Sequence, residues 1–141
     1  SAEGSGGTMK NNIPFVWLVF ALSAAPVLAQ DLLVVRYGVD EVTLIDRASI
    51  NRSGSNAQAW VVRSFDRRQP AAETLPAYRS VRIRMAFDCR QQRLSVAERA
   101  FHASAFGRGS VVARQRSDDP LAFAQPASGL ERTLLAMVCE R

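Results

Sequence analysis

One lysine, one histidine and two cysteines are all that this 141-residue chain holds of those residue types, and each shortage closes off a class of function. A zinc site needs about four ligands, and His102 with Cys89 and Cys139 cannot supply them. A lone histidine without a nucleophile-elbow sequence gives no acyl-transfer relay. Redox pairs usually place their cysteines two residues apart, whereas Cys89 and Cys139 are far separated. The sequence therefore assigns no catalytic residue, no metal ligand and no cofactor, and a non-enzymatic chain is expected. The apolar run Ile13–Leu28 is interrupted by Pro14 and Pro26 and falls short of the roughly 20 residues that cross a bilayer. After it there is neither an internal repeat nor a low-complexity tract.

What is present begins with an export signature. Met9-Lys10 opens a short positive region, Ile13 to Leu22 is apolar, Pro26 breaks it, and Val27-Leu28-Ala29 offers small residues for cleavage. Residues 9–29 are read as a signal peptide, residues 1–8 as a cloning remnant or upstream extension, and residues 30–141 as one domain. Gln30 stands where a lipidated cysteine would follow the cleavage point, so lipid anchoring through an N-terminal cysteine is not expected. The expected location is the periplasm, the medium or the cell surface. An exported chain with two cysteines most simply joins them, and a Cys89–Cys139 disulfide is predicted.

The formal charge is +5, and Lys10 in the leader is the sole lysine, so every basic residue after it except His102 is arginine. Guanidinium groups bind carboxylate, sulfate and phosphate bidentately and stack on aromatic rings. Such a surface suits acidic partners. Sulfated glycans, other polyanions, anionic lipid headgroups and acidic protein patches all qualify, while nucleic acid fits the charge but not the compartment; a protein or sulfated-glycan partner is expected, and homodimerisation is left open.

Alternation marks the strands. Val42 to Ile50 and Ala57 to Phe65 flank the turn cluster Arg52-Ser53-Gly54-Ser55-Asn56 and predict a hairpin. Asp66 to Pro76 reads as a polar loop. Tyr78 to Cys89 is the clearest strand, with Val81, Ile83, Met85, Phe87 and Cys89 on one face and Arg82, Arg84, Ala86 and Asp88 on the other. A turn at Arg90–Arg93 leads to a strand over Leu94–Phe101, where the helix formers Ala97 to Ala100 compete. Phe106-Gly107-Arg108-Gly109 turns into a short strand, Ser110–Gln115, and Arg116–Ala127 is a loop. Ser128 and Glu131 form a capping box ahead of a helix that shows Leu130, Leu134, Leu135, Val138 and Cys139 on one side. The predicted fold class is α+β: an antiparallel sheet of about five or six strands with a C-terminal helix on one face, clamped by the disulfide.

Four blocks in order carry a family resemblance: Ile45-Asp46-Arg47-Ala48-Ser49-Ile50; Ala59-Trp60-Val61-Val62; Tyr78-Arg79-Ser80 running to Phe87-Asp88-Cys89; and Pro126-Ala127-Ser128 leading to Val138-Cys139. The order resembles the surface-adhesin protein E-like family of small exported bacterial domains. The resemblance covers essentially the whole of residues 30–141 and implies an antiparallel sheet with a helix against it and paired cysteines. It also implies a binding role, since the member that names the family contacts vitronectin, laminin and plasminogen. Two departures stand out. That member is lipid-anchored, and the tryptophan usual ahead of the Pro-x-Ser block is replaced here by Phe123.

The candidate partner-binding residues are Arg79, Arg82 and Arg84, with Arg63 on a neighbouring strand, taken together as a basic stripe on the open sheet face. A solvated face that keeps sheet edges apart is the competing account. Trp60 and Tyr78 are read as a core tryptophan and a cap on the sheet, with partner-facing roles as the alternative. The leading reading is an adhesin-like contact domain. A resident periplasmic accessory protein is the alternative, and a hydrolase inhibitor a more distant one.

Overall fold

A computed structural model describes residues 30–140, together with Gly4, Gly6 and Gly7; the expected signal peptide at 9–29 lies outside the described residues. Six strands form one antiparallel meander in which each pairs only with its sequence neighbours. They are β1 (Leu32–Tyr37), β2 (Glu41–Ser53), β3 (Asn56–Gln69), β4 (Tyr78–Asp88), β5 (Arg93–His102) and β6 (Val111–Arg116). The chain closes with helix α1 (Gly129–Cys139). This is the expected α+β class.

Local chemistry explains the turns. Ser53 pairs with Asn56 around a two-residue link, and Gly54 there has φ +60, a conformation that tight hairpin turns reserve for glycine. Between β4 and β5, Asp88 Oδ1 accepts from the amides of Arg90 and Gln91, a side chain standing in for a backbone turn. At α1 the Ser128 hydroxyl accepts from the Glu131 amide at 3.2 Å, while the Glu131 carboxylate reaches back to the Ala127 amide. Both halves of the predicted cap form, the second one residue earlier than the usual box.

Helix α1 lies on one face of the sheet. Leu134, Leu135 and Val138 pack with Ile45, Ala57, Ala59, Val61, Met85, Phe87 and Leu94 in the main core. The inner set of β4 is the one that alternation singled out. Cys89 sits just beyond the strand, in the turn, and bonds to Cys139 at the end of α1 across a Cα–Cα distance of 5.4 Å. Arg52 reinforces the same corner. Its guanidinium donates to the carbonyls of Val138 at 2.6 Å and Glu140 at 2.8 Å, satisfying acceptors that a helix end leaves open.

One strand end departs from expectation, and the ladder settles a second segment as the expected strand. Strand β3 continues to Gln69, so the following loop starts at Pro70 rather than Asp66: a register break after Ser64 lets the strand resume pairing at Gln69 with Tyr78. Leu94–Phe101 is strand, not helix, because its amides are taken by β4 and β6. Ala97 is its extra residue, bulged where Arg84 pairs with Glu98 and Met85 with Val96. Strand β1 carries no two-residue alternation; its own register breaks between Val34 and Arg36.

Candidate partner-binding face

The face opposite α1 is floored by alternate residues of every strand and, among the described residues, carries no α-helix. Across β3, β4, β5 and β6 the register sets out two rungs. One runs Trp60, Arg84, Glu98, Arg116, and the next runs Val62, Arg82, Ala100, Arg114. Four arginines therefore stand in two columns, on β4 and β6, with β5 between them. Adjacent strands are about 4.8 Å apart, which puts the column backbones about 10 Å apart.

Glu98 sits between the columns with its side chain 9% exposed. Arg114 Nη1 donates to Oε1 at 2.8 Å and Arg84 Nη2 to Oε2 at 3.5 Å. Burial alone pushes the Glu98 carboxyl up, but the hydrogen bond and charge of Arg114 with the charges of Arg84 and Arg116 outweigh it, and the group is held below the usual range. Arg82 lies over the Trp60 ring at 4.7 Å. Its Nε is buried without a hydrogen-bond partner.

One end of this face is roofed by the β5–β6 connection, a short 3₁₀ turn at Ala105–Gly107. Two buried serines hold it: Ser64 Oγ accepts from the Phe106 amide at 3.0 Å, and Ser80 Oγ accepts from Gly107 at 2.8 Å while donating to the Ser104 carbonyl. Phe106 is left in the left-handed region at φ 58 with its side chain partly exposed. His102, next to this turn, is buried. Its Nδ1 lies 3.3 Å from the Gly109 carbonyl, and desolvation, with Arg82 and Arg114 nearby, pushes its pKa down.

Of the four arginines singled out from sequence, the structure brings two together. Arg82 and Arg84 share the open face. Arg63 pairs opposite Val81 and so falls on the helix side, where it binds Glu41 at 2.6 Å and covers Phe65. Arg79 spends its donors on the Phe65 and Asp66 carbonyls, tying a strand end rather than facing a partner. Arg114 and Arg116 complete the cluster instead. Composition and alternation did not reach them, because β6 is too short to show a pattern and its placement depends on pairing. Trp60 is on the open face beneath Arg82, not in the helix-side core. Tyr78 stacks edge-on with Phe65 and Phe101.

On the helix side, an open cleft of about 880 Å³ lies among the β1–β2 tip, β3 and the start of α1, but Glu41 neutralises its Arg63. Among the described residues no cluster of His, Cys, Asp or Glu could hold a metal ion, and no helix is long and apolar enough to cross a membrane.

Comparison with known proteins follows the same lines. The sequence profile described as Surface-adhesin protein E matches residues 35–140. Sequence comparison with curated proteins returns no match. Among solved structures, the chain resembles protein E from non-typeable Haemophilus influenzae with a TM-score of 0.56 at 17% identity, over 77% of this chain and 74% of that one. A second crystal form of Haemophilus influenzae protein E gives 0.52 at 17% identity, over 69% and 79%. Its selenomethionine form gives 0.52 at 16%, over 79% and 92%. At these identities the likeness speaks to the fold.

Proposed function

The chain belongs to the surface-adhesin protein E family, and from that premise we propose that it is an exported, non-enzymatic domain that meets acidic macromolecules through its open sheet face. The observation that carries this reading is the pair of arginine columns, Arg82 and Arg84 on β4 with Arg114 and Arg116 on β6, on a face that no α-helix covers among the described residues. Guanidinium groups held in register favour ligands with repeated negative charge. The apolar half of the same face supports a contact role: Val34 of β1 is exposed beside Leu44, which pairs in turn with Val62. We further propose residues 30–141 as one domain released from a leader at 9–29, with its working site outside the cytoplasm. Host-matrix proteins and sulfated glycans are the partner classes this surface fits.

The test is binding of the purified domain to immobilised matrix proteins and heparin over a salt series. Salt-sensitive retention is expected, reduced by Arg82→Ala with Arg84→Ala while the thermal midpoint confirms a folded protein. Absence of binding to either class at physiological salt overturns the adhesin-like reading. Protease treatment of intact cells separates the surface from the periplasm: cleavage is expected, and full protection would assign the domain an envelope-internal role.

A further inference from the structure

Each oxygen of the Glu98 carboxylate is taken by a different arginine column, Arg114 of β6 and Arg84 of β4. Its side chain is almost fully enclosed, while those of Arg84 and Arg114 are 37% and 53% exposed. One rung along, Ala100 separates Arg82 from Arg114 with only a methyl group. The result is a trough along β5, walled by arginines and floored by Ala100 and Glu98. Phe106 stands toward one end of it, and exposed Leu121, beside Arg84, Ala86 and Ala97, toward the other.

We infer that this trough binds a linear sulfated polysaccharide and that Glu98 is its built-in competitor, an internal anion that draws the arginines inward and sets the affinity. The inference rests on the proposed function of the open face and narrows it. Charge arranged in two columns suits a chain lying between them better than a flat bilayer. An incoming carboxylate would offer the arginines little that Glu98 does not already give. A tetrahedral oxyanion has three free oxygens and can engage two guanidinium groups at once, so it gains contacts on the outer N–H groups of Arg114 and Arg116 that Glu98 leaves open. Sulfate and phosphate esters share that chemistry; arginine's weakly hydrated fork and a location outside the cytoplasm point to the sulfated polymer.

The experiment measures affinity for heparin, for fully desulfated heparin and for a polyphosphate of matched charge. Wild type is compared with Glu98→Gln, Glu98→Asp and Arg114→Ala with Arg116→Ala, each checked by thermal melting. Glu98→Gln should bind heparin about threefold more tightly, the size of one partly buried ion pair released. Glu98→Asp keeps the net charge but shortens the carboxylate away from both arginines, so it should tighten binding too; a gain from net charge alone would be absent there. The double arginine variant should lose about tenfold or more of affinity, as expected for two charge-assisted contacts, and desulfated heparin should bind weakly to every form. Unchanged affinity in both Glu98 variants, or an indifferent double arginine variant, overturns the inference. Preference for polyphosphate reassigns the trough to phosphate esters and overturns the polysaccharide. If wild type binds matrix proteins but not heparin, this inference falls while the reading of the face stands. Should both Glu98 variants fail to fold, the sulfation dependence of the double arginine variant decides alone.

Discussion

At the scale of single residues, the open face depends on a close fit between Gly107 and Arg82. Gly107 has φ +68, and a Cβ there would lie 2.8 Å from both Cγ and Cδ of Arg82. Backbone conformation and contact thus call for glycine together, and the approach presses the arginine stem toward the Trp60 ring. Gly107→Ala is expected to cost about 2 kcal/mol, combining left-handed strain with the displaced side chain. It should also change Trp60 emission, because the cation above the indole moves. In the chain from residue 30 onward Trp60 is the sole tryptophan, so fluorescence reads this site directly. Unaltered emission with unaltered melting would show that Arg82 is not held by the turn. The turn itself is legible in Phe106-Gly107-Arg108-Gly109. The face it folds onto is not, because that is decided by Ser64 and Ser80, whose hydroxyls meet it across sequence separations of 42 and 27. Serines in strands ordinarily signal nothing.

At the scale of elements, the helix is fixed to the sheet at both ends by different means. Ser128 caps its start; the disulfide and Arg52 hold its finish. Linking residues 50 apart in sequence restricts the unfolded chain by about 4 kcal/mol in the chain-entropy account. Cys139→Ser should therefore lower the thermal midpoint by about 15 °C, and Arg52→Ala should lower it by a smaller amount that calorimetry resolves, since its two carbonyl contacts are worth about 1 kcal/mol each. A Cys139→Ser protein melting with wild type would show the staple to be inconsequential. The same elements show what sequence can and cannot convey. Alternation in Val81, Ile83, Met85 and Phe87 exposes the buried face of β4, and the spacing of Leu134, Leu135 and Val138 exposes that of α1, because each pattern is internal to its element. Which side of the sheet Arg63 occupies is a question of register between strands. The sequence groups it with Arg82 and Arg84, yet pairing with Val81 turns it to the opposite face. Arg114 and Arg116 were missed for the same reason: their partnership with Glu98 is made by the β5–β6 ladder, not by anything within six residues of strand.

For the whole molecule, collecting arginines over one buried imidazole and one buried carboxylate should govern the response to acid. Burial, with the charges of Arg82 and Arg114 beside the ring, holds the folded pKa of His102 below the ordinary value of 6.5. The unfolded chain thus takes up a proton first, and stability is full above that ordinary value. It declines as pH falls from there toward the depressed folded pKa, and below that the loss stays constant. Glu98 acts in a lower window. Its folded pKa is held below 4.5, so its contribution is fully present above that value and is lost as pH falls through the folded one. Two separate declines are expected in the thermal midpoint as buffers step from about pH 8 to about pH 3. In His102→Gln the upper decline should flatten while the lower one persists, since glutamine can still donate to the Gly109 carbonyl but cannot titrate. Glu98→Gln should do the reverse, removing part of the lower decline and leaving the upper. An upper decline that survives in His102→Gln would mean that acid acts on the fold elsewhere than beneath the arginine columns.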